Sequence, residues 1–161
     1  MKKIYLLTLL VLISLTWACT DKSADLTGGI NIEEVAASSV APQAKADQMM
    51  QALTHFFKHM VTVKDDKEAI EAMNTFSTDH GPAMQKIAKE FGDWMQKANE
   101  TELSQMQQEM LSKPYFRELD VSLDSLGNRM QSNEEFQKAM TQLMQLTVSE
   151  PTGEQPDMEM K

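Results

Sequence analysis

One cysteine, six glycines and an aromatic content of 6 % deprive this 161-residue chain of many common structural and catalytic devices. A lone Cys19 excludes any disulfide within the chain and any cysteine cluster for metal. The scarcity of glycine leaves no phosphate-cradling G-x-x-x-x-G-K, and G-x-S-x-G, H-E-x-x-H and an EF-hand-type acidic loop are missing too. The chain therefore reads as non-enzymatic and without a resident cofactor. Val and Ile are few, while Met contributes 14 residues; unbranched side chains of this kind favour helix, and strands would need the β-branched ones. Basic residues are also in deficit, 15 Lys+Arg against 24 Asp+Glu. A surface so acidic repels phosphate backbones and anionic headgroups, which excludes nucleic acid as a partner and disfavours purely electrostatic membrane adhesion.

Long apolar runs are missing as well, with one exception at the start. Lys2 and Lys3 precede an apolar stretch from Ile4 to Leu15, and small Ala18 stands directly before Cys19. Crossing a bilayer takes about 20 apolar residues, so this segment reads as a cleaved export signal. The junction resembles the signal of bacterial lipoproteins, in which the chain is cut before a cysteine that then carries the lipid. The resemblance covers residues 1–19 alone. It implies a signal peptide over 1–18, acylation of Cys19, and a membrane partner reached through that lipid; Thr20 in the next position looks like an outer-membrane address. With two or three acyl chains the anchor would be stable without help from surface charge. Removal of Lys2 and Lys3 with the leader takes the formal net charge from −9 to −11.

Residues 19–41 mix Gly, Ser, Ala and acids without sustained period and read as a lipidated flexible tether, spanning about 25 Å as a coil. Residues 149–161, with two prolines and four acids, read as a disordered tail. Between them, residues 42–148 carry the 3.6-residue period of an all-α bundle of five or six amphipathic helices. The first helix runs from Pro42 to Val63 with Ala46, Met49, Leu53, Phe56 and Met60 along one seam. The second opens at Asp65 and is expected to stop near His80, before Gly81-Pro82. The third carries Met84, Ile87, Ala88, Phe91, Trp94, Met95 and Ala98. Asn99 with Glu102 spaces a fresh cap for a fourth, bearing Leu103, Met106 and Met110 and ended by Lys113-Pro114. A fifth holds Tyr115, Phe116, Leu119, Leu123 and Leu126, and Ser132 with Glu135 is expected to cap a sixth.

Three groups of residues invite a chemical reading. Met73, Met84, Met95 and Met106 recur every eleven residues, the spacing of a thioether stripe for copper, but a helix break at Gly81-Pro82 and the neighbouring aromatics favour core filling. His55 and His59 stand four apart on the outer side of the first helix, the geometry for a shared copper or zinc ion in a periplasmic metal-binding protein. Asp79-His80 are adjacent and so point about 100° apart, which suits a cationic imidazole at a helix end better than a catalytic pair. The leading expectation is a lipid-anchored bundle of the bacterial envelope that binds a protein or an apolar ligand in a groove rimmed by Phe56, Phe57, Trp94, Tyr115 and Phe116. The metal-binding protein using His55, His59 and methionines is the alternative.

Overall fold

A computed structural model describes residues 26–148, and these are all helix and connecting turns. Among these residues six helices follow one another in full: α1 (Ile32–Ala37), α2 (Pro42–Thr62), α3 (Asp66–Met95), α4 (Glu100–Ser112), α5 (Pro114–Ser132) and α6 (Glu134–Gln145). The all-α expectation stands. The residues assigned to the signal peptide, Cys19 and the tail at 149–161 lie outside the described residues, and no helix among those described is long and apolar enough to cross a membrane.

Local chemistry accounts for most helix ends. Pro42 and Pro114 occupy first-turn positions, where a missing N–H costs nothing. Asp65 accepts a hydrogen bond from the Glu68 amide at 2.8 Å and starts α3. Asn99 and Glu102 form a reciprocal capping box, at 3.0 and 2.9 Å, which separates α4 from α3. The start of α6 differs from expectation by one residue: Asn133, not Ser132, accepts from the Phe136 amide, while the Ser132 hydroxyl donates back into α5.

Two hairpins build the body. Thr54 approaches Tyr115, Lys58 reaches Glu118 and Val63 meets Arg129, so α2 and α5 run parallel. Asp66 meets Asn133 and Gly81 faces Leu146, so α3 and α6 run parallel as well. The four helices pack in the cyclic order α2, α3, α6, α5, and α4 carries the chain from one hairpin to the other. The core they share is dominated by Met49, Leu53, Phe56, Phe57, Met60, Met73, Phe76, Met84, Ile87, Phe136, Met140 and Leu143, all buried.

Two expectations fail here for physical reasons. The chain does not break at Gly81-Pro82; α3 is continuous over 30 residues, about 45 Å. Pro82 removes one hydrogen bond, from Thr78 O, but Thr78 and Pro82 are both exposed, so water can serve the freed carbonyl. Met73, Phe76, Met84 and Ile87 are buried on both sides of Pro82, and each large apolar group contributes about 1.5–3 kcal/mol, more in sum than the roughly 3 kcal/mol a helical proline costs. The second concerns residues 26–41 of the expected tether, whereas residues 19–25 lie outside the described residues. From Leu26 the chain is already docked, and α1 fills a place on α2 and α3 close to the level where α6 ends. Ile32, Val35 and Ala36 are buried, spaced by three and one in a segment too short to announce a period. Asn31 caps α1 by accepting from the Glu34 amide, and Lys45, 5 % exposed, donates to Ala36 O at its other end while pairing with Glu90 at 2.7 Å.

Candidate partner-binding surface

Of the five residues expected to rim a groove, two are in the interior. Phe56 and Phe57 are fully buried, in edge contact with each other, and Phe56 lies 4.1 Å from Phe76 between ring centres. The reason is the breadth of the buried arc on α2. A helix with α3 on one flank, α5 on another and α1 over its first half buries more than one seam, so the adjacent positions 56 and 57 both face inward. Phe56 and Phe57 therefore do not rim the groove drawn from the sequence.

The other three, Trp94, Tyr115 and Phe116, are half-buried, and the structure gathers them at one end of the bundle. Lys45 to Glu90 brings the last turns of α3 beside the start of α2. Tyr115 to Asp47 at 2.6 Å brings the start of α5 to the same level. α4 spans the gap between them. Along this stretch the Phe91 and Trp94 rings stack with centroids 5.6 Å apart, Met95 is exposed, and α4 has no buried residue at all. Leu103, Met106 and Met110 follow each other at helical spacing and are half-covered, and Leu111 is 63 % exposed. None of these side chains belongs to the main core. α4 packs chiefly on α5, which leaves an aromatic and methionine-rich end with incomplete cover.

Hydrogen bonds and ion pairs hold this end in place. Burial first, and then the hydrogen bond it donates to Asp47, raise the Tyr115 phenol above its ordinary value, so it stays protonated and serves as a donor. Asp47 also accepts from Gln51 at 2.8 Å and lies 3.5 Å from Lys113. The hydrogen bond from Lys89 lowers the Asp93 carboxyl, an exposed pair one turn apart.

The remaining candidates separate. His55 and His59 are both exposed, and the His55 ring lies against Gly28, whose φ of +64° only glycine adopts freely and where a Cβ would strike the imidazole. No group of three His, Cys, Asp or Glu side chains able to hold a metal is found among the described residues. Met73 and Met84 do share one helix, contrary to expectation, but both are fully buried in the core, and Met106 is on another helix. His80 is not at a helix end. It sits mid-α3, buried, edge-on to Phe76, with Nδ1 donating to Glu33 of α1 at 2.7 Å. Asp79, its neighbour, points outward into a shallow depression of about 450 Å³ that also includes Glu71, Asn74 and Thr75, all from the same helix. Sequence reasoning missed the contacts of Glu33 and Lys45 entirely, since each pairs with a residue 45 or 47 positions away.

Comparison with family models, with curated proteins and with solved structures gives no match for this chain.

Proposed function

We propose that this is a non-enzymatic helical bundle of the bacterial cell envelope, anchored by lipid on Cys19 on the outer membrane, that binds another protein through the end formed by α3, α4 and α5. The observation that carries the binding half is α4: a thirteen-residue helix with an apolar edge and no buried residue, joined to a stacked Phe91–Trp94 pair. Helices this short are marginal in water unless an apolar face is covered, and methionine surfaces adapt to a partner's shape. The anchor half is supported by the basic, apolar and small-residue order of residues 2–19.

A photo-crosslinking residue placed at Leu111 tests the surface in intact membranes, with the same residue at Lys138 on the outer side of α6 as control. Specific adducts from position 111 alone are expected. Adducts from neither position, or equally from both, contradict the proposed surface. The anchor is tested separately by Cys19→Ala, which is expected to release the protein from the membrane pellet.

A further inference from the structure

We infer that the docked segment Leu26–Ala37 shortens the leash between lipid and body to seven residue steps, so that the bundle works at the membrane face and meets a partner presented there. The inference rests on acylation of Cys19. Were residues 20–41 all free, the anchor could stand 22 steps from Pro42's neighbour Ala41, a reach of about 80 Å when stretched. Docking changes that bound. Leu26 and Ile30 pack on the core, Thr27 and Ile32 are buried, and the backbone at Gly28 lies against the His55 ring. Glu33 is held by His80, and Ala36 O by the buried Lys45. These contacts fall at successive points along the segment, on both α2 and α3, so it is bound over its whole length and not by a single residue.

Seven steps from Cys19 to Leu26 cannot exceed about 25 Å whatever conformation they take. With α3 about 45 Å long, every part of the body stays within about 70 Å of the anchored residue, and its α2 flank much nearer. A leash of this length suits a partner standing in or on the same membrane, since a target deep in the compartment lies outside its reach.

The test uses lipidated protein in phosphatidylcholine vesicles bearing a headgroup energy acceptor. The acylated Cys19 thiol is blocked, so a donor can be attached uniquely at His59→Cys, an exposed site one turn from His55. Inserting ten Gly/Ser residues between Asp21 and Lys22 raises the leash bound to about 60 Å and is expected to lower transfer efficiency at least twofold. Ile32→Asp, which undocks α1, is expected to lower it likewise while helical content is kept; should that variant unfold, the insertion decides alone. Transfer unchanged by the insertion, on protein whose N-terminal peptide carries the acyl mass, overturns the short leash and leaves the anchor standing. Absence of the acyl mass overturns both.

Discussion

Arg129 ties four helix ends together with one side chain. Its Nη1 donates to Met60 O and Val63 O at the close of α2, at 3.2 and 2.7 Å, its Nε to Asp66 at the opening of α3 at 2.8 Å, and its guanidinium covers Phe136 at 4.5 Å. The carbonyls it serves are among those a helix end leaves without partners. Arg129→Ala is expected to cost about 2–3 kcal/mol in urea unfolding, more than an exposed ion pair such as Lys58–Glu118 contributes. Asp66 titrates within this cluster. Its carboxyl is lowered from the ordinary 3.8 first by the hydrogen bond from Asn133 and then by Arg129. Its contribution is therefore fully present above about pH 4 and is lost as pH falls through the lowered value, and thermal melts of Asp66→Asn should converge with wild type at the acid end and diverge above it. None of these partners was legible in the sequence, because Arg129 and Asp66 are 63 residues apart and a single chain offers no signal for such pairs. The capping residues Asp65 and Asn99 were legible, because a cap and its amide are three residues apart.

At the scale of elements, periodicity named the buried faces and local breakers misplaced the boundaries. Ala69, Met73 and Phe76 before Pro82, and Met84, Ile87 and Ala88 after it, lie on one continuous buried stripe of α3. The same residues had been read as two helices because proline's cost is local and visible, whereas the burial that outweighs it depends on α2 and α6. Pro82→Ala is thus expected to stabilise the fold by about 1–3 kcal/mol, measured by chemical unfolding, and an unchanged midpoint would contradict this balance. α1 was illegible for the opposite reason: six residues are too few to show a period, and its stability comes from docking. Lys45→Met removes the ammonium from Ala36 O and leaves Glu90 only its longer contact with Lys86, at 3.9 Å, so limited proteolysis should cut the Ser38–Ala41 connection faster while cleavage within α3 stays slow. In α4 the apolar pattern read from the sequence, Leu103, Met106 and Met110, is present and only half-covered.

The described residues form a four-helix body with an appended strap, and a crossover helix leaves an aromatic and methionine-rich end incompletely covered; the chain as a whole is acidic. Its length, composition and period sufficed for the fold class, since Met- and Leu-rich amphipathic segments of this size have few other ways to bury their faces. They did not suffice for the surface, because burial of Phe56 and Phe57 and exposure of Leu111 depend on which helices neighbour which. Phe56→Ala is accordingly expected to cost about 3–5 kcal/mol in stability, the penalty of a core cavity, whereas Leu111→Ser should leave the unfolding midpoint nearly unchanged and weaken partner capture. Without the proposed leader and lipid the body's fold should be unchanged, so the same bundle expressed from Thr20 onward is expected to give the same far-UV spectrum. Amide hydrogen exchange across residues 100–112, compared between the purified protein and the protein in the envelope membranes proposed for it, tests the account most directly. α4 is expected to be the least protected helix when purified and to gain protection in the membranes; protection equal to that of α3 in the purified protein, or none gained in the membranes, would contradict a docking surface at this end.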